Sequence, residues 1–147
     1  MKNIGLYLHI PFCKSKCPYC DFYSFSGKDT EKDDYTKILK DRILSSISIL
    51  HCKGDTLYIG GGTPSVLGAD NLKTLVDTCK NGFLTDDVEI TVECNPGSDI
   101  ESLIPYFKKA GVNRISLGMQ SAVNEERYQL GRTADKERIL QVISLLK

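Results

Sequence analysis

Cys13, Cys17 and Cys20 stand in the run Leu8-His9-Ile10-Pro11-Phe12-Cys13-Lys14-Ser15-Lys16-Cys17-Pro18-Tyr19-Cys20, directly after a short apolar stretch. They offer one metal centre three thiolates and no fourth. A cubane iron–sulfur cluster takes one thiolate per iron, so three cysteines hold it and leave one iron free to chelate something else. Zinc is the competing metal; a closed structural zinc site needs four ligands, and the nearest candidates for a fourth are His9 and Asp21. His9 lies inside the apolar run and reads as a packed or hydrogen-bonded residue. A disulfide fits less well, because three is odd, no signal peptide precedes the cluster, and a cytosolic chain keeps its thiols reduced. Cys52, Cys79 and Cys94 are scattered, with Cys79 on a helical apolar stripe, and read as packing residues.

The elements that must position these thiols follow from periodicity. Residues 4–10 read as a strand, then comes the cysteine loop and a serine- and charge-bearing loop around Ser24 to Asp34. A helix follows with Tyr35, Ile38, Leu39, Arg42 and Ile43 setting its period, and apolar positions continue to Leu50. Thr56 to Ile59 is the second strand. Leu72, Leu75, Val76 and Cys79 recur at helical spacing and stop before Gly82, and Val88 to Val92 is the third strand. Ser98-Asp99-Ile100-Glu101 reads as a capping box opening a helix that carries Ile100, Leu103, Ile104 and Phe107 and ends at Gly111. Asn113 to Leu117 is the fourth strand, and Ile139, Val142, Ile143 and Leu146 mark a last helix.

Strand and helix alternate, which predicts an α/β fold with a parallel sheet covered by helices. Chemistry in such folds gathers where strands end at their carboxyl side. The cysteine loop follows strand one, Gly60-Gly61-Gly62-Thr63 follows strand two, Glu93 closes strand three and Gln120 follows strand four, so four motifs converge on one rim. The chain has 147 residues with 19 basic and 19 acidic side chains. No apolar run approaches the roughly 18 residues of a membrane span. Composition therefore predicts a cytoplasmic protein with no nucleic-acid footprint and no membrane insertion.

The spacing C-x-x-x-C-x-x-C, with Tyr19 just before the last cysteine, resembles the signature of the radical S-adenosylmethionine (SAM) enzymes. The wider string from Tyr7 to Phe22 resembles the branch that holds oxygen-independent coproporphyrinogen III oxidase and the haem chaperone HemW. Agreement continues through Gly60-Gly61-Gly62-Thr63-Pro64-Ser65, Glu93-Cys94-Asn95-Pro96, Leu117-Gly118-Met119-Gln120-Ser121 and Leu130-Gly131-Arg132, nearly the whole chain. The resemblance implies a [4Fe-4S] cluster on Cys13, Cys17 and Cys20, and SAM chelated to the open iron. It further implies that Gly60, Gly61, Gly62 and Thr63 contact the methionyl amine, that Glu93 and Arg132 contact the ribose and the methionyl carboxylate, and that Gln120 is a polar contact to the same ligand. Tyr7 is implied near SAM and Tyr19 against the adenine. Read alone, the glycines make a plain strand-to-loop turn, Glu93 is a strand-end charge, Gln120 a capping or turn residue and Arg132 a solvated loop residue. Likewise Tyr7 packs in its strand and Tyr19 shields the cluster.

Proteins of this kind have a six-unit partial (β/α) barrel followed by a further domain. The resemblance therefore makes residues 1–147 the amino-terminal part of the radical SAM core, about four strand–helix units, with the rest of the barrel and an accessory domain absent. Within the branch, the oxidase pattern extends to a fourth cysteine where this chain has Phe22, and it carries an amino-terminal extension. Both differences point to the haem-chaperone branch: a carrier of cluster, SAM and haem or a porphyrinogen, served by an electron donor such as flavodoxin or ferredoxin and delivering haem to recipient haemoproteins. The alternatives are the oxidase, which decarboxylates coproporphyrinogen III in haem biosynthesis, and an inactive fragment. Ala134 departs from the histidine or glutamine common after the Gly131-Arg132 motif.

Overall fold

Apolar residues at every second position of four strands force one face of a sheet against helices, and the computed structural model, which describes residues 3–147, is built on that face. Strands β1 (Asn3–Ile10), β2 (Lys53–Gly61), β3 (Leu84–Cys94) and β4 (Arg114–Leu117) pair in sequence order, all parallel. Helices α1 (Asp29–Ile49), α2 (Ala69–Lys80), α3 (Ile104–Ala110) and α5 (Lys136–Leu146) alternate with them, and a short α4 (Asn124–Gln129) lies between β4 and α5. The core gathers Leu8, Ile10, Leu57, Ile59, Ile90 and Val92 from the strands with Ile43, Leu72, Leu75, Val76, Phe107 and Val142 from the helices, all 5% exposed or less. Burying each such side chain contributes about 1.5–3 kcal/mol.

The alternate strand positions carry Tyr7, His9, Thr56, Tyr58, Glu89, Thr91, Glu93, Arg114 and Ser116, and of these only Thr91 is buried, beneath Glu89 and Arg114. Parallel sheets ordinarily bury both faces. Here one face is a polar and aromatic floor, as a sheet that lines a cavity requires.

Several boundaries differ from the periodicity reading. The stretch Ser24 to Asp34 is not wholly loop: α1 begins at Asp29, where the Glu31 carboxylate accepts the Lys28 N–H at 2.6 Å and acidic residues occupy the first turn. The Ser98 capping box does not form. The Ser98 hydroxyl donates instead to the Asn95 carbonyl at 2.6 Å, and the segment enters α3 through a 3-10 turn at Glu101–Leu103. α3 ends as expected, with Gly111 in the left-handed region at φ 83°. β2 and β3 outrun the predicted strands at both ends, and α4, too short for a periodic signal, was not foreseen. Among the described residues no helix is long and apolar enough to cross a membrane.

Candidate functional site

The loop after β1 is fastened before it reaches its second cysteine. The Cys13 N–H donates to the Phe25 carbonyl at 2.9 Å and the Phe25 N–H to the Pro11 carbonyl at 2.8 Å, closing residues 11–25 on themselves. Phe12 is buried, 2% exposed, edge-on to Phe25 and Tyr35. The Cys20 N–H bonds the Cys17 carbonyl at 3.0 Å. Cys13, Cys17 and Cys20 are free thiols, each half-buried.

The glycine run crosses this loop. The Gly62 N–H donates to the Ile10 carbonyl at 2.8 Å and the Thr63 N–H to the Phe12 carbonyl at 2.7 Å, while the Thr63 hydroxyl lies 3.7 Å from the Cys13 sulfur. A Cβ on Gly62 would sit 2.5 Å from the Phe12 carbonyl oxygen and 3.0 Å from the Cys13 sulfur, so only bare backbone passes there. Gly61 adopts φ 115°, and a Cβ there would strike the His9 ring at 2.7 Å.

Glu93 is the hub beneath the glycines. Its carboxylate accepts the Gly61 N–H at 3.1 Å and the Tyr58 hydroxyl at 2.6 Å. That bond, with burial adding to it, raises the Tyr58 phenol pKa above its ordinary value. Tyr7 stands beside Tyr58, ring centroids 6.1 Å apart, and is 53% exposed to the floor of the site. Burial, then the Glu93 charge, raises its pKa as well. His9 Nε2 lies 3.0 Å from the Tyr23 carbonyl, which can only accept, so Nε2 carries a proton there, and Nδ1 is hydrogen-bonded to the Tyr7 hydroxyl at 3.1 Å. His9 is thus the hydrogen-bonded strand residue that its place in the apolar run predicted.

A second group assembles at the end of β4. The Gly118 N–H donates to the Cys94 carbonyl at 3.1 Å, which holds this loop against the residue after Glu93. Gln120 takes φ 67°, a left-handed conformation that costs a non-glycine residue free energy and is characteristic of functional loops. A Cβ on Gly118 would meet Gln120 Nε2 at 3.1 Å and Arg132 Nη2 at 3.7 Å, so those two side chains converge over it. Arg132 Nε donates to the Tyr19 hydroxyl at 2.8 Å. Burial raises the Tyr19 pKa, with the Arg132 cation opposing it.

The structure therefore unites Cys13, Gly60, Gly61, Gly62, Thr63, Glu93 and Tyr7 on one side and Gln120, Arg132 and Tyr19 on the other, joined through the cysteine loop that carries Tyr19. Tyr58 went unnoticed in the sequence, although it lies two residues before Gly60 on the same strand face. As a donor set the site fits an iron–sulfur cubane: three free, part-exposed thiols on one loop, with the glycine backbone packed against the first of them. A cubane needs one thiolate on each of three irons rather than convergence on a point. Among the described residues no group of three His, Cys, Asp or Glu side chains is arranged around a single metal ion.

Known proteins resemble this chain in sequence and in fold. The heme chaperone HemW of Escherichia coli strain K12 is 41% identical over 132 residues, 88% of this chain and 35% of that protein. The HemW of Haemophilus influenzae is 35% identical over 151 residues, 98% of this chain and 39% of that protein. The chain thus spans little more than a third of the length of these relatives. The structure of coproporphyrinogen III oxidase (HemN) from Escherichia coli, a radical SAM enzyme, superposes with a TM-score of 0.87 at 26% identity, over 98% of this chain and 34% of that one. The family model of the Radical SAM superfamily matches residues 7–147, and with it the chain belongs to that superfamily.

Proposed function

We propose that this chain is the cluster- and SAM-binding part of a haem chaperone of the HemW type. In this reading Cys13, Cys17 and Cys20 hold a [4Fe-4S] cluster. Gly60, Gly61, Gly62 and Thr63 present backbone to the methionyl amine, Glu93 binds the ribose, Arg132 takes the methionyl carboxylate, for which an arginine fork is suited, and Gln120 is a polar contact to the same ligand. Tyr7 and Tyr19 flank the nucleoside with aromatic faces. When bound, the cluster and SAM supply one-electron chemistry at a sulfonium; the protein's share is geometry and electrostatics. Haem is the cargo, recipient haemoproteins the destination, and a flavodoxin or ferredoxin the electron source.

The observation that carries the reading is a set of three free, part-exposed thiols on one loop, with the glycine strap packed backbone against backbone on the first of them. Phe22, 67% exposed where the oxidase pattern has a fourth cysteine, favours the chaperone. The superposition on HemN supports the oxidase as the second reading.

Anaerobic reconstitution with iron and sulfide tests the site: a cluster absorption spectrum that SAM perturbs and that Cys17→Ala abolishes is expected. Zinc, or no iron, in demonstrably folded protein overturns it. Haem titration and a coproporphyrinogen III assay on the full-length protein separate the branches. Stoichiometric haem capture without decarboxylation is expected of the chaperone, and formation of protoporphyrinogen IX with SAM consumed would establish the oxidase instead.

A further inference from the structure

Arg127 is the bulkiest of the fully buried side chains among the described residues, 1% exposed, on a helix of six residues. A helix that short does not hold itself together. The ion pairs of the described residues do not include the Arg127 guanidinium. Its donors go instead to neutral oxygens: Nε to the Ala134 carbonyl at 3.2 Å, Nη1 to the Ser121 carbonyl and Nη2 to Asn124 Oδ1. The Arg127 carbonyl accepts the Arg132 N–H at 2.8 Å, and Asn124 Oδ1 also receives the Lys136 N–H at 2.9 Å, at the start of α5.

These partners bracket two site residues. Ser121 follows Gln120, whose left-handed backbone persists only if its surroundings over-determine it. Ala134, buried and 6% exposed, lies two residues beyond Arg132, so the guanidinium that holds its carbonyl fixes the chain just after that residue. A buried cation satisfied only by neutral acceptors is costly to keep. Its planar fork, however, spreads donors from three nitrogens in fixed directions and so reaches these three separated oxygens at once.

We propose that Arg127 is a positioning residue: an internal staple that fixes the Gln120 and Arg132 segments relative to each other and so sets the carboxylate-binding end of the SAM site. The staple does not touch the ligand, and its link to SAM rests on the site reading above.

The test compares Arg127→Met, Arg127→Lys and Arg132→Ala by three readouts: amide hydrogen exchange of residues 118–134 in the metal-free chain, iron per chain after reconstitution, and SAM affinity by equilibrium dialysis. Arg127→Met strips the guanidinium from the Ala134 and Ser121 carbonyls and leaves Asn124 Oδ1 with the Lys136 N–H alone. It should speed exchange at 119–122 and 131–134 and weaken SAM on the order of tenfold with iron content unchanged, while Arg127→Lys, which can satisfy only part of the set, falls between. Should Arg127→Met fail to fold, Asn124→Ala, which removes one acceptor, reads the same contrast at smaller amplitude. Unchanged exchange and affinity in the Arg127 variants, where Arg132→Ala still weakens SAM, overturn the staple. If Arg132→Ala leaves SAM affinity untouched, the SAM assignment of this loop fails, while faster exchange in Arg127→Met would still uphold the staple itself.

Discussion

Arg132 lies across Tyr19: its guanidinium carbon is 5.6 Å from the ring centroid and its Nε donates to the phenol oxygen at 2.8 Å, a contact between residues 113 positions apart. The pair ties the cysteine loop, which opens the chain's first crossover, to the loop between α4 and α5. Cation–π attraction and a charge-assisted hydrogen bond act together here, and both are exposed to solvent, so each is worth little alone. Their consequence is geometric, since Arg132 cannot turn outward without leaving Tyr19.

Tyr19→Phe keeps the ring and removes the acceptor. The expected loss is about 1 kcal/mol of orientation, roughly a fivefold weaker SAM affinity by equilibrium dialysis, with iron per chain unchanged. An unaltered affinity would detach this pair from ligand binding.

Gly62→Ala puts a methyl group 2.5 Å from the Phe12 carbonyl oxygen, which is backbone and cannot swing away. Overpacking of this kind costs about 1–3 kcal/mol. The melting temperature should fall and iron incorporation should drop sharply, because the cysteine loop must move to admit the Cβ. Gly82→Ala is the control for handedness alone: Gly82 adopts φ 102° with nothing within 4 Å of a Cβ, and its variant should lose some stability but keep its iron.

Thiol labelling should divide the six cysteines into two sets. Burial pushes the Cys79 and Cys94 thiols up to about 12, and both are almost wholly enclosed. Cys13, Cys17, Cys20 and Cys52 are half-buried. Alkylation of the metal-free folded chain near pH 8 should modify these four and spare Cys79 and Cys94 until denaturant is added, since thiolate is the reacting species. Mass spectrometry of peptides reads the pattern, and rapid labelling of Cys94 in native protein would contradict it.

Arg138 fastens α5 to the segment before α3, with a two-pronged contact to Glu101 and donations to the Pro96 carbonyl at 3.2 Å and the Ser98 carbonyl at 3.3 Å. The Arg138 hydrogen bond holds the Glu101 carboxyl down to about 2. A depressed carboxylate contributes stability that is fully present above its unfolded value near 4.5 and is lost as pH falls through about 2. Both side chains keep about a third of their exposure, so solvent screening holds the pair to about 1 kcal/mol. Glu101→Gln should remove that slice of the acid-unfolding curve between pH 4.5 and 2 and leave the slope above pH 5 as it was.

The four parallel strands were legible because alternation and β-branched runs report one buried face directly; Leu57, Ile59, Ile90 and Val92 are all 1% exposed or less. The end of α3 was legible too, since a glycine at that position meets a backbone requirement. Its start was not. Ser98 has the right spacing for a cap, but its hydroxyl is engaged by the Asn95 carbonyl, and spacing along the chain does not register that competition. The start of α1 was hidden for the opposite reason: its cap is the Glu31 side chain reaching back to Lys28, on a stretch with no apolar period to mark it.

The sequence by itself determined the donor set and its order on one rim: three thiols on a loop after β1, bare backbone after β2, a carboxylate at the end of β3 and an amide after β4. Residue types and strand ends are local properties, and strand alternation assigns each to a face. Tertiary structure alone decided which of these meet. Glu93 binds Tyr58 and the Gly61 amide and Arg132 leans on Tyr19, because each of these contacts joins segments that only the parallel register of the sheet and the packing of its loops bring within hydrogen-bond reach, while Arg127 turns inward to hold three nearby oxygens because the chain folds back around its short helix.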